Sequence, residues 1–502
     1  MVIIAITAVY IVFVIGIGVY FTRKSRSVTN FVLGGLTLGP WITAFAYGNS
    51  YFSAVVFVGF AGRFGWNYGL SAVWVGMANA FLGSLLAWVF LGRRTRVMTH
   101  SFKSATMPEF FEKRYVSKGI KIISAALVFL FLIPYTASIY NGLSRLFTMA
   151  FGTGKESYAF FVAGMATVTA VYVILGGYKA TAYNDFFQGI IMLVSIVAII
   201  AAILNLNGGL SGSVNLLSEK GESYTSLFGP DPVNLVGVMI LTSLGTWGLP
   251  QMVHKFYTIK DERSIKPGMI ISTIFAIIIA GGCYFLGSFG RIFVDKTETG
   301  APVTGFDGIV PAMMEQLPEI LLGVMIVLVL SASMSSLAGL VLTSSSTLTL
   351  DLIKPFVKKP MNEKTTLIVM RVFIGIFLLA SAVMALQENA LISDFMGYSW
   401  GGLAGAFLAP FLYGLFWKGV TRAAVYTSFF FAASATVLHF IFKPQWTIGG
   451  FNLASPVNLG ASIMVLGLIV VPLVSLVTPK IDKKATDDMF LCFSGGQEKN
   501  KE

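Results

Sequence analysis

Ser331, Ser333, Ser335 and Ser336 crowd into the run LSASMSSLAGLVLTSSSTLTL, and Ser344 to Thr347 follow a few turns later. Their neighbours are Leu, Val, Ala and Met, so water is not the intended partner of these hydroxyls. Serines in such helices mostly bond back to the carbonyl one turn earlier or bridge to another helix. The adjacent pair Ser335 and Ser336 has a further use. A hard monovalent cation is held by several neutral oxygens, and two hydroxyls complete such a shell once other segments supply free carbonyls.

Two apolar segments are built to supply them. ITAFAYGNSYFSAVVFVGFAG, from Ile42 to Gly62, is long enough to cross a bilayer, yet Gly48, Asn49, Ser50 and Ser53 lie near its centre. Lipid would leave those groups unsatisfied at a cost of several kcal/mol each. VNLVGVMILTSLGTWGLPQM, from Val233 to Met252, is interrupted by Gly245, Gly248 and Pro250. Glycine gives backbone freedom, and proline removes a donor and frees a carbonyl one turn back. One such break is ordinarily a packing kink. A pair at matching positions of two halves marks the substrate site of an inverted-repeat secondary transporter.

The elements around them are membrane spans. Hydrophobic residues make up 56 % of the 502 and charged residues 12 %, and mean hydropathy is +0.79, against about 25 % charge in soluble domains. The composition predicts an all-α polytopic membrane protein. A 19-residue window predicts thirteen spans, near 2–21, 41–62, 71–92, 121–149, 157–177, 184–206, 233–252, 267–290, 319–349, 366–386, 391–416, 421–442 and 456–478. Placing the N-terminus outside puts most of the 35 Lys and Arg on the inner side: Arg23, Lys24 and Arg26, the loop from Arg93 to Lys121, Lys179, Lys255 to Lys266, Lys354 to Lys364, Lys418, Arg422 and the tail. This is the positive-inside pattern of a multi-pass plasma-membrane protein with a cytoplasmic C-terminus. The net charge of +12 therefore reads as anchoring to the bilayer and not as a nucleic-acid surface. The first break opens a group of five spans and the second opens the next five; an odd group size inverts the second relative to the first.

The residues NFVLGGLTLGPWITAF (Asn30 to Phe45), MPEFFEKRY (Met107 to Tyr115), YVILGGYKATAYNDFFQGIIM (Tyr172 to Met192), LSASMSSLAGLVLTSSSTLTLDL (Leu330 to Leu352) and GYSWGGLAGAFLAPFLYGLFW (Gly397 to Trp417) resemble, in order and across the chain, the sodium/solute symporter family, whose members carry proline, sugars, pantothenate or sialic acid. The resemblance implies a thirteen-helix chain with a five-plus-five inverted-repeat core of the LeuT type. Residues 1–40 would be an extra helix and loop, 41–206 and 233–416 the two repeats, 417–478 two extra helices and 479–502 a cytoplasmic tail. It implies a co-transported sodium ion held by the carbonyls of Asn49, Phe52 and Ala332 and the hydroxyls of Ser335 and Ser336. Asp185 would stand on the inner exit path; its residue type also fits a helix N-cap at the sixth span. A small-molecule substrate would lie near Ser53, Tyr135, Thr246, Trp247 and Pro250, where Trp247 also fits a packing or gating role. Proline carriers have an aspartate in place of Tyr51 and an aromatic in place of Thr246. With no carboxylate at the centre of either break, a zwitterion such as proline, a small carboxylate or a neutral solute is expected ahead of a cation.

Other classes find less in these residues. A proton-coupled carrier of the same fold needs a titratable group where the serines stand, and a sodium/sugar symporter shares every feature named so far. An enzyme needs a nucleophile with its base or metal ligands, and His100, His254 and His439 form no pair at ligand spacing. A membrane solute sensor is expected to carry a signalling domain, for which the tail TPKIDKKATDDMFLCFSGGQEKNKE is short. No obligate protein partner is expected. The segment Asn207 to Asn234, rich in Gly and Ser, reads as a connection.

Overall fold

The computed structural model describes residues 2–21, 27–358, 361–386 and 391–493. The predicted anchoring charges Arg23, Lys24, Arg26, Lys359, Lys499 and Lys501 lie outside them. In hydrocarbon a chain must satisfy its own backbone, and helices do so within one segment. The long helices are α1 (Val2–Phe21), α2 (Pro40–Tyr51), α3 (Val55–Phe102), α4 (Lys118–Ala150), α5 (Tyr158–Leu206), α6 (Pro232–Gly248), α7 (Pro250–Tyr257), α8 (Glu262–Phe293), α9 (Glu319–Phe356), α10 (Glu363–Ala385), α11 (Ile392–Phe416), α12 (Arg422–Phe442) and α13 (Pro456–Val477). Local sequence starts many of them. Proline opens α2, α6, α7 and α13, and the side chains of Ser117, Asp231, Asn362 and Thr421 cap α4, α6, α10 and α12.

Among the described residues ten helices are long and apolar enough to cross a membrane, or eleven with the bent pair α6 and α7. The count falls short of thirteen because α3 and α5 run for 48 and 49 residues, about 70 Å each if straight, over twice a bilayer core of about 30 Å. Neither is straight. In α5 the Tyr172 hydroxyl donates to the Met334 carbonyl (2.5 Å), while the Ser335 hydroxyl donates to Asp185 (2.6 Å). Residues thirteen apart in sequence thus meet neighbouring residues of α9, which a straight helix of about 20 Å between them would forbid. The chain doubles back at Gly177, whose backbone (φ 60°, ψ −161°) only glycine adopts readily. In α3 the turn is at Gly69 (φ 61°); Tyr47 of α2 reaches the Gly83 carbonyl at 2.9 Å because the chain has returned to the same depth.

The centre of the molecule is α9, buried continuously from Met325 to Thr349. Its serines, alanines and glycines let α1, α4, α5 and α10 approach closely. Small residues serve the same end between α3 and α8, where a Cβ on Gly76 would stand 2.7 Å from the Gly281 backbone. Gly76→Ala is expected to lower stability by about 1–3 kcal/mol, read as a lower melting temperature in detergent. Gly164→Ala, which faces open space, is the silent control. The connection predicted over 207–234 is partly helical: Gly209–Glu219 forms three turns, since Leu and Val recur among its glycines and serines. A two-stranded hairpin, Thr447–Ile448 with Phe451–Asn452, is tied to the start of α6 through Asn234.

Candidate ion and solute site

The first break forms where the sequence interrupts its own apolar run. α2 ends at Tyr51, and Phe52 is extended (φ −111°, ψ 129°) with its N–H turned back to the Asn49 carbonyl at 3.2 Å. Ser53 restarts the helix, its hydroxyl accepting from the Val55 N–H at 3.2 Å. The interrupted backbone is completed from α9. Ser333 accepts from the Ala54 N–H at 2.9 Å, and the Ser336 hydroxyl lies 3.4 Å from the Asn49 carbonyl and 3.2 Å from that of Phe52. Ala332 is one turn before Ser336 and also buried. Helix back-bonding does describe Ser345 and Ser346, which donate to Leu342. Ser333, Ser335 and Ser336 instead reach across to other segments, 150 to 287 positions away in sequence.

Ser335, the next residue back on α9, reaches α5 beside the first break. Its hydroxyl donates to Asp185, whose second carboxylate oxygen faces the Lys255 ammonium at 3.6 Å, both groups buried. The Asn49 amide donates to the Asp185 carbonyl at 2.5 Å, and the ammonium also lies over the Tyr178 ring at 5.0 Å. Asp185 does not cap a helix as its residue type allowed; α5 is already helical from Tyr178 onward, leaving its carboxylate free to meet α7 and α9. Lys255, counted in sequence among the anchoring charges of an inner loop, is inside the protein. Its helix α7 continues past Pro250 and carries it inward to the acid.

The second break is a 46° bend at Leu249 (φ −82°, ψ 122°) between α6 and α7. Pro250 opens α7 and is buried. The Thr246 hydroxyl donates to the Gly83 carbonyl (3.0 Å) and the Trp247 indole to that of Leu82 (2.9 Å), with the Trp247 ring beside Phe90. Both residues therefore pack on α3, while Ser53 and Tyr135 lie together, the Tyr135 hydroxyl next to Ser53 and Trp400. Tyr51 and Trp400 join the two groups. Tyr51 bonds the Thr242 carbonyl and stacks on Trp400 (6.3 Å, 19°), and Tyr135 meets Trp400 edge-on (5.9 Å, 79°). Sequence reasoning did not single out Trp400 or Lys255. An indole in a glycine-rich helix and a cation just past a helix-breaking proline were the available signals.

A family model described as the sodium:solute symporter family matches residues 31–430. The sodium/proline symporter of Staphylococcus aureus (strain JH9) is 29 % identical over 490 residues, 95 % of this chain and 92 % of that one. The osmoregulated proline transporter OpuE of Bacillus subtilis (strain 168) is 27 % identical over 436 residues, covering 86 % and 87 %. The fold is shared with a substrate-bound, outward-open sodium-coupled sialic acid symporter (TM-score 0.75, 17 % identity, 96 % of this chain and 99 % of that one). A nucleobase-cation-symport-1 family transporter in a closed conformation is more distant (TM-score 0.51, 15 % identity, 93 % and 99 %). The helical membrane core is thus of the LeuT type, and the chain belongs to the sodium:solute symporter family, whose work is the sodium-coupled import of a small solute.

Proposed function

We propose that the solute is a small zwitterion, proline foremost, carried with sodium by alternating access. The observation that carries this reading is the Ser336 hydroxyl reaching two carbonyls of the first break. Together with the Ala332 carbonyl and the Ser335 hydroxyl, Asn49 and Phe52 then form a shell of neutral oxygens for sodium. The solute lies between the breaks against Ser53 and Tyr135, with Thr246, Trp247 and Pro250 shaping the wall towards α3. The relatives named as proline transporters and the absence of a carboxylate side chain around Ser53 support a zwitterion ahead of a cation.

Sodium entering from outside bridges the first break to α9 and favours the outward-facing state; it acts only through its different affinity for the two states. The solute then closes the outer side, where Arg63 pairs with Asp394 (2.6 Å) and Arg145 with Asp307 (3.7 Å). Release inward passes Asp185. In this reading the N-terminus is outside and the C-terminus cytoplasmic, as the charge distribution favours. Divided at Gly69 and Gly177, the helices make thirteen spans, with 41–206 and 233–416 as the inverted repeats. One sodium moving through about 100 mV gains about 2.3 kcal/mol, and a tenfold gradient adds about 1.4 kcal/mol. Their sum sustains roughly 500-fold accumulation of a zwitterion.

The test is uptake into proteoliposomes of labelled proline, other amino acids, short carboxylates and sugars, with and without an inward sodium gradient. Sodium-driven, electrogenic accumulation of proline is expected. Accumulation of a sugar alone would replace the zwitterion, and accumulation on a proton gradient without sodium would remove the ion assignment.

A further inference from the structure

The tail segment KKATDDMFLCF, from Lys483 to Phe493, carries Thr486, Met489, Phe490 and Phe493 at the i, i+3, i+4, i+7 spacing of one helical face. Asp482 starts its helix, Lys483–Phe490, by accepting from the Ala485 N–H at 3.0 Å. That face is docked. Thr486 is buried, and Met489, Phe490 and Phe493 are half-buried at the end of the bundle where α3 and α11 finish. The Arg94 guanidinium of α3 donates to the Leu415 carbonyl (2.8 Å) and lies over two rings, Phe416 of α11 (4.2 Å) and Phe493 of the tail (4.9 Å). Arg114, on the short helix Met107–Tyr115, lies over Phe490 at 5.2 Å. Lys418, just past α11, lies over the same ring (5.6 Å) and pairs with Asp487 (2.6 Å). The ion pair is half-exposed and cation–π contacts are individually weak, so the tail is held by several contacts that can each let go. The anchor also leads inward: Phe416 meets Phe90 edge-on (6.4 Å), and Phe90 lies beside Trp247 at the second break (5.8 Å).

From this, and resting on the alternating-access reading above, we propose that residues 483–493 are a strap that holds the inner ends of α3 and α11 together and has to release before the solute leaves on that side. Parting the two ends would draw Arg94 away from Phe416 and Phe493 and uncover Phe490. The docked strap therefore favours the state closed on the inner side, which is the state sodium also favours. Two interactions that bias one equilibrium the same way strengthen each other reciprocally. Bound sodium keeps the strap down, and the docked strap tightens sodium, although the tail and the ion shell share no residue.

Cys492 lies in the strap and reports on it. Its thiol is half-buried near Arg94 and donates to the Met489 carbonyl at 3.2 Å, while the buried Cys283 is the silent control. Maleimide labelling of Cys492 would be timed in the full-length protein in nanodiscs, in sodium and in potassium, and sodium-dependent thermal stabilisation measured on the same samples. In wild type, sodium should slow labelling about fivefold or more. Phe490→Ala/Phe493→Ala and Lys418→Glu should label about tenfold faster in sodium, and should need about fivefold more sodium for half-maximal stabilisation. The charge exchange Lys418→Glu/Asp487→Lys should return both readings towards wild type, which separates strap release from a folding defect. Labelling of wild type that ignores sodium overturns the proposal, and so do variants that label faster with an unchanged need for sodium, since a merely structural tail would behave that way. Failure of sodium to stabilise the wild type at all would overturn the sodium-driven cycle itself, and the strap with it.

Discussion

Ser336→Ala is expected to raise the sodium concentration needed for half-maximal uptake by about ten- to a hundredfold, and Ser335→Ala/Ser336→Ala to abolish sodium-driven accumulation. The Ser336 hydroxyl is the α9 group in contact with both the Asn49 and Phe52 carbonyls. Removing one oxygen from a small ligand shell costs on the order of 1.4–2.8 kcal/mol. Alanine leaves α9 helical and nearly isosteric, so the loss falls on the ion and not on the fold. Ser333→Ala offers the contrast. Its hydroxyl caps the Ala54 N–H and belongs to no expected ion shell, so it should lower stability by about 1 kcal/mol and shift sodium dependence little. Sodium-induced thermal stabilisation reads binding apart from transport. Equal sodium responses in wild type and Ser336→Ala would place the ion elsewhere.

Lys255→Met is expected to be the most destabilising of the substitutions considered, by about 3–5 kcal/mol, because it leaves Asp185 as an uncompensated charge in the core. Asp185→Asn/Lys255→Met removes both charges and should recover most of that loss, the behaviour of a buried pair whose desolvation nearly cancels its attraction. Melting in detergent and the yield of monodisperse protein measure it. If the double variant is no more stable than the single one, the 3.6 Å contact is not the partner that keeps Asp185 buried. The pair also bears on transport. Asp185 holds Ser335 through one oxygen and Lys255 through the other, so the double variant should change sodium release even where it restores folding.

Much of this protein is legible without its structure. Composition and apolar runs of about 20 residues set the class, since with 56 % hydrophobic residues such runs satisfy their backbone polar groups in lipid as helices. Both interruptions announce themselves by residue type, and Gly48 to Ser53 and Gly245 to Pro250 do break their helices. These are local effects, decided by the φ freedom of glycine, the missing donor of proline and the cost of polar groups in hydrocarbon. The serine cluster is local as well.

What the chain could not announce is direction and partner. In a membrane protein the lipid face and the core face of a helix are both apolar, so no hydropathy stripe tells which way a side chain turns. Thr246 and Trp247 turn to carbonyls of α3, and neighbouring Ser335 and Ser336 take different partners, one Asp185 and one the first break. Lys255 reads as an anchor in a basic loop and lies instead against an acid 70 positions away. Sequence determined what the chain is made to do at each position of its own backbone; only the packing of helices distant in sequence decided which oxygens face one another, because that choice is made by steric fit between helices and not by the residues beside them.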